Sequence, residues 1–204
     1  MYGSGWMQGD KMVHDDDLVA ALGPVASVFD SLGIRYFIGG SVATSFHGAS
    51  RSTMDVDVVA ELNATDIEPL LEALGDKYYT SAAAAIEAVN RTSCFNLIHL
   101  ATSFKVDVFV SRKRPFDIDS MSRAKPGTFG NGDGITVPVA SAEDAIVAKL
   151  EWYRLTDETS EKQWLDVTRV LDLLGEKADW DYMEAAANST GVEDLLQRLR
   201  KSLD

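Results

Sequence analysis

IGGSVATSFHGASRSTMDVDVV, residues 38–59, sets two small features side by side. The first is Gly39-Gly40-Ser41 at the head of a short amphipathic segment. Glycines let backbone approach another group closely, and Ser41 stands where a helix N-terminus, with its free N–H groups, is expected. The second is Asp55-Val56-Asp57 inside a β-branched run. In a strand, alternate side chains share a face, so Asp55 and Asp57 project together, about 7 Å apart, while Val56 and Val58 point the other way. Two carboxylates so spaced can share a hard divalent cation, and the glycine turn beside them can cradle a phosphate.

Working outward, Tyr36-Phe37-Ile38 reads as a strand feeding the glycine turn, Ser41 to His47 as a short helix ended by Gly48, and Met54 to Ala60 as the acid-bearing strand. The run His14-Asp15-Asp16-Asp17 precedes LVAALGPVASVFDSL, where acids suit the positive end of a helix, so the Asp run is expected to cap a helix ended by Gly33. Residues 1–13 are Gly-rich, aperiodic and expected to be poorly ordered. Asn63 to Asp66 caps a helix to about Leu74, and Ser81 to Val89 is helical by propensity. Phe95–Leu100 and Phe104–Val110 alternate and are joined by Ala101-Thr102-Ser103, a hairpin carrying Asp107 in its second strand. Lys125 to Gly134 reads as a loop and Ile135–Val139 as a further strand. From Ser141 the pattern is helical throughout, in four segments broken near Thr156, Gly175 and Ser189.

Strands early and helices late predict an α/β fold: a mixed sheet flanked by helices over residues 14–140, then a helical half over 141–204.

Gly39-Gly40-Ser41, Asp55-x-Asp57 and the lone Asp107 in KVDVFV together resemble the three-part signature of the nucleotidyltransferase superfamily, with its DNA polymerase β-like fold. Ala43, Gly48, Arg51 and Thr53 after the Gly-Gly look closest to the branch of AbiEii and MenA-type toxins. Glu143 to Leu171, with Lys149 and then Lys162-x-x-x-Asp166, resembles the helical half of those proteins. The likeness covers roughly residues 33–174 and departs from the commonest pattern in having Gly-Gly-Ser rather than a simple Gly-Ser.

That resemblance implies Mg²⁺ (or Mn²⁺) held by Asp55, Asp57 and Asp107, with Asp107 nearest the nucleophile and able to accept or steer its proton. It implies NTP phosphates held by Gly39, Gly40 and Ser41, with Lys149 reaching them from the helical half and Asp166 completing the site. Thr53 shares the face of Asp55 and is placed to touch a phosphate or a metal-bound water. Arg51 either binds phosphate or pairs with an acid. The plainer alternatives are a snorkelling Lys149, and an Asp166 exposed on its helix beside Lys162 or Arg169. The expected activity is transfer of an NMP group from an NTP to a hydroxyl of tRNA or protein, toxin-like, with a cognate antitoxin as partner. The rivals are transfer to a small molecule, as in aminoglycoside-modifying enzymes, and a non-catalytic nucleotide-binding or antitoxin-like module. The presence of all three acids argues against the last.

The chain has 204 residues and a formal net charge of −13. As a whole it repels nucleic acid, and this favours the small-molecule rival. Arg112, Lys113, Arg114, Arg123 and Lys125 form either a solvated loop or a substrate-facing patch. The single cysteine, Cys94, excludes an intrachain disulfide and suits a reducing, cytoplasmic setting, with Cys94 itself a small buried hydrophobe. No apolar run reaches the length of a membrane span, and no signal-peptide pattern opens the chain. His47 and His99 lack zinc spacing. Trp152, Trp164 and Trp180 read as helix-packing residues, although an aromatic near the cleft could stack on a base.

Overall fold

The computed structural model describes residues 9–49, 53–130, 132 and 134–202. Arg51 lies outside these residues, as does most of the N-terminal segment expected to be poorly ordered. Among the described residues, seven strands form one mixed sheet: β1 (Tyr36–Ile38), β2 (Asp55–Ala60), β3 (Tyr78–Tyr79), β4 (Cys94–His99), β5 (Lys105–Val110), β6 (Lys125–Phe129) and β7 (Ile135–Val139), in the order β3-β4-β5-β2-β1-β7-β6. The central pair β2 and β5 is parallel, and β1 is antiparallel to β2 and parallel to β7.

The strand pattern follows from what each face meets. Val56, Val58, Ala60, Val106, Val108, Phe95 and Leu97 turn to one side. There they share a core with α1 (Gly9–Ser31), α3 (Ala64–Leu74) and α4 (Ala82–Arg91), through Leu22, Phe29, Leu70 and Ala85. The opposite face of β2 and β5 carries Asp55, Asp57, Lys105 and Asp107. The same alternation that buries valine on one side therefore gathers charge on the other.

The rest of the chain covers that polar face only in part. The helix α2 (Gly40–Phe46) follows β1 directly, and α5 (Pro115–Arg123) follows β5. The C-terminal helices α6 (Ala142–Leu155), α7 (Glu161–Leu174), α8 (Trp180–Thr190) and α9 (Glu193–Lys201) build a second core around Ile146, Leu150, Val170, Leu171 and Met183. Ala49 and Phe116 belong to this second core, so it reaches back across the sheet. No helix among the described residues is long and apolar enough to cross a membrane.

Three elements differ from the sequence reading. The helix α1 already runs from Gly9, so Asp15 to Asp17 lie within it rather than capping its start. Lys125–Phe129 is a strand, not part of a loop; Pro126 is tolerated because β6 is an edge that pairs only with β7. The helix α5 was not anticipated. It starts with Pro115 in its first turn, and the Asp117 carboxylate accepts the Arg114 backbone N–H (3.0 Å) as well as its guanidinium, which satisfies that end N–H group.

The two cores meet at Asp144, which is almost fully buried. Its carboxylate accepts hydrogen bonds from Ser141 Oγ (2.6 Å), from Ser120 Oγ of α5 (3.2 Å) and from the Tyr182 hydroxyl of α8. Arg123 Nε stands 3.4 Å away, its guanidinium lying over the Tyr182 ring. Burial, then the bond to Asp144, drives the Tyr182 phenol well above its ordinary pKa. Removing one member of such a buried network costs far more than removing an exposed one. Asp144→Ala is expected to lower unfolding free energy by about 3–5 kcal/mol, against about 1 kcal/mol for Ser120→Ala. Urea denaturation of the two variants checks this; comparable small losses would show that the hub does not join the two cores.

Candidate active site

Asp57 is the organising side chain. Its backbone carbonyl accepts the Gly39 N–H (2.8 Å), which fastens the turn after β1 to β2. Its carboxylate accepts the Ser41 N–H at the start of α2. Gly40 lies between them at φ +55°, and a Cβ there would fall on the Asp57 carboxylate. Gly40 is thus required twice, by its left-handed backbone and by the side chain opposite. The glycine turn does let another group come close, and in this structure the nearest such group is Asp57.

Asp107 sits beside Asp57 because β2 and β5 are parallel with Asp57 paired to Asp107 and Asp55 to Lys105. All four side chains project from one face. Lys105 Nζ pairs with Asp107 Oδ2 at 2.7 Å, and Asn96 of β4, opposite Asp107, donates to its other oxygen. That bond to Asp107 raises the Lys105 ammonium above its usual range. Thr53 Oγ1 donates to Asp55 Oδ1. Asn96 and Lys105 were not singled out from the sequence, although both follow from counting outward from the turn at residues 101–103.

The helical half contributes Lys149. Its ammonium is buried and donates to Asp166 Oδ2 (2.9 Å) and Gln163 Oε1 (3.1 Å) of α7. Asp166 is buried too, paired with Lys149 rather than exposed beside Lys162 or Arg169. Lys149 is close enough to Asp57 to act on its charge. Burial, with Asp55 and Asp107 as like-charged neighbours, nonetheless pushes the Asp57 carboxyl up to about 6.

A cleft of about 690 Å³ opens over this face, with Asp57, Gly40 and Ser41 on one side and Lys149 and Gln163 on the other. Arg112 and Arg114 line it and are held by Glu151 of α6, Arg114 through two bonds of 2.6 and 3.0 Å. Lys113 and Lys125 are not among the lining residues, and Arg123 is engaged with Glu143 and Asp144. Of the basic stretch, the structure therefore brings only Arg112 and Arg114 to the cleft. Cys94 is half-buried on the cleft wall, its thiol pushed up to about 12 by burial and the nearby acids. His47 bonds the Ala140 carbonyl and His99 the Thr102 hydroxyl, so both serve packing.

Among the described residues no group of three or more His, Cys, Asp or Glu side chains is gathered closely enough to hold a metal ion. Asp55 is turned to Thr53 and Asp107 to Lys105 and Asn96. The donor chemistry still fits a hard cation. The acids offer only oxygen, and Asp57 carries a repulsion that a divalent ion would relieve.

No family model matches the chain, and no curated protein matches its sequence. Solved structures do match in fold. The antibiotic-resistance factor ANT(2'')-Ia in solution has 14% identity and a TM-score of 0.55, with 93% of this chain and 95% of that one covered. An antigenic nucleotidyltransferase-like protein from Paracoccidioides brasiliensis has 20% identity and a TM-score of 0.53, with 94% of each chain covered. ANT(2'')-Ia in complex with adenylyl-2''-tobramycin has 13% identity and a TM-score of 0.51, over 84% of this chain and 95% of that one. The α/β architecture is nucleotidyltransferase-like.

The raised Asp57 has a consequence for stability. Its carboxyl titrates near 3.8 when unfolded and near 6 when folded, so the native state binds the extra proton between those values. Stability is therefore highest below pH 4 with respect to this group and is lost as pH rises through 6. Asp57→Asn, which keeps the shape and removes the charge, should match wild type at pH 4. At pH 7.5 it should be more stable by up to about 3 kcal/mol. Urea titrations at the two pH values test this; a variant equally or less stable at pH 7.5 would deny that burial and the neighbouring acids raise Asp57.

Proposed function

We propose that this protein is a nucleotidyltransferase that moves an NMP group from an NTP to a hydroxyl acceptor, releasing pyrophosphate. The observation that carries the reading is the register pairing of Asp57 with Asp107, beside Asp55, with Asp57 facing the start of α2 and the buried Lys149. The fold likeness supports it.

Asp55, Asp57 and Asp107 would hold Mg²⁺ or Mn²⁺. When bound, such an ion supplies charge neutralisation for the triphosphate and for the departing pyrophosphate. The chain's own residues do the rest. The Gly39-Gly40-Ser41 turn and Lys149 bind the phosphates, with Asp166 and Gln163 fixing the ammonium of Lys149. Thr53 and Asn96 orient the carboxylates they bond. Arg51 is proposed as a further phosphate ligand. The acceptor oxygen attacks the α-phosphorus, a P–O bond to it forms, and the bond from the α-phosphorus to the bridging oxygen breaks. The hydroxyl proton passes to Asp107.

The acceptor we favour is a small molecule. A net charge of −13 repels nucleic acid, and Arg112 and Arg114 of the cleft already bind Glu151. The second reading is the AbiEii/MenA-type one, with tRNA or protein as acceptor and an antitoxin as partner. It is favoured by the meeting of Lys149 with Asp166, the two positions that carry that resemblance in the helical half.

Incubation with each α-labelled NTP and Mg²⁺, together with small-molecule pools, total tRNA or lysate protein, separates these readings by where the label goes. Asp57→Ala or Asp107→Ala should lower turnover by roughly a hundredfold or more while the fold survives. Lys149→Ala should weaken NTP binding roughly tenfold, since it removes a charged donor to phosphate. NTP affinity unchanged in that variant would confine Lys149 to packing.

A further inference from the structure

Beyond the acids, the elements that carry them continue into an apolar platform. Two residues on from Asp57 on the same face of β2 is Val59, and two on from Asp107 on the same face of β5 is Phe109. Three residues on from Lys149, on the same side of α6, is Trp152, followed one further turn-step on by Leu155. The periods that gather the charged groups thus gather Val59, Phe109, Trp152 and Leu155 a step further along, and all four line the same cleft. The Phe109 and Trp152 rings meet edge to face, with centroids 5.7 Å apart at 70°.

This platform is not used up by the core. Trp152 is 45% and Leu155 59% exposed, and neither belongs to either buried cluster. A Trp and a Leu left in water on the wall of a cleft leave apolar area for a ligand to cover. Its surroundings restrict that ligand further. The cleft is lined by Arg91, Arg112, Arg114 and Lys149 against the carboxylates Asp57, Asp117, Asp144 and Glu151, with Arg112 and Arg114 paired to Glu151 and Asp117. The balance does not invite a polycation.

We infer that the platform of Phe109, Trp152 and Leu155 is the acceptor subsite, and that it takes a hydroxyl compound with an apolar, ring-bearing body and no cluster of positive charge. The inference rests on the nucleotidyl-transfer reading for the word acceptor alone. Phe109 shares a strand and a face with Asp107, the acid assigned to the acceptor's proton, and lies two residues, about 7 Å, further along it, so a ring seated on Phe109 and Trp152 directs its hydroxyl arm back along β5 toward that carboxylate. A ring against Trp152 gains both burial and edge-to-face contact, whereas a sugar bearing several ammonium groups gains neither and finds Glu151 and Asp117 already engaged by Arg112 and Arg114.

Binding rather than turnover tests this. Isothermal titration of wild type, Trp152→Ala and Leu155→Ala with 2-naphthylmethanol, with tobramycin and with ATP·Mn²⁺ gives the needed comparison. Wild type is expected to bind the naphthyl alcohol and to prefer it to tobramycin. Trp152→Ala should weaken the naphthyl alcohol roughly tenfold, Leu155→Ala should weaken it less, and ATP affinity should be unchanged in both. Equal binding of the naphthyl alcohol by wild type and both variants, or no binding at all, would overturn the subsite. So would a parallel loss of ATP affinity, which would give the platform to the nucleobase, or a preference for tobramycin. If the ring binds in a Trp152-dependent way but no label from an NTP is ever transferred, the subsite stands and the transfer reading fails.

Discussion

The carboxylate of Asp57 occupies the space that Gly40 leaves by having no side chain, and the rest of the site is arranged around that fit. It ties three pieces of backbone together: β2 through Asp57 itself, the turn after β1 through the Gly39 N–H, and the start of α2 through the Ser41 N–H. Any side chain at residue 40 would have to displace the acid. The cost of the arrangement is electrostatic, since a half-buried carboxylate with Asp55 and Asp107 beside it titrates near 6. Repulsion of this kind makes the face receptive to positive charge. Positive charge brought by the ligand lowers the energy of the native state as it binds.

A parallel pairing at the centre of the sheet lets two distant parts of the sequence share the site. Had β5 slipped by one residue against β2, Asp107 would face the core formed by Val56, Val58 and Val106. Burial of those valines therefore fixes the position of the acid. On the open side, α6 spans from the Asp144 hub to Trp152 and presents Lys149 between them, held from behind by Asp166 and Gln163. The wall formed after β5 is clamped to the same helix by Arg114 and Glu151. Two contacts, one at each end, set the width of the cleft.

Local spacing made the strand signal legible. Asp-x-Asp among β-branched residues, the glycine turn and the hairpin after residue 93 all follow from period-2 alternation and turn chemistry, and the break points near Thr156 and Gly175 fall where helices end. What sequence could not show depended on tertiary partners. The strand at Lys125–Phe129 contains Pro126 and Gly127 and is made a strand by pairing with β7. The helix at Pro115 has its signals, Pro in the first turn and Asp three residues after Arg114, inside a basic stretch that reads equally as a solvated loop. Asp144 reads as one more acid in a helix start, and only the arrival of Ser120, Arg123 and Tyr182 makes it a buried hub. Trp152 reads as packing because nothing in its helix reveals that Phe109 lies opposite.

The central claim is that Asp55, Asp57 and Asp107 act together on a cation and an NTP. A crystal grown with Mn²⁺ and a non-hydrolysable NTP analogue, with anomalous scattering recorded for manganese, addresses it most directly. The account predicts a manganese peak bonded to oxygens of Asp55, Asp57 and Asp107, with Asp107 released from Lys105 and the triphosphate lying between the Gly39-Gly40-Ser41 turn and Lys149. Manganese bound elsewhere, or an analogue seated in the cleft with none of these carboxylates at the metal, would contradict it.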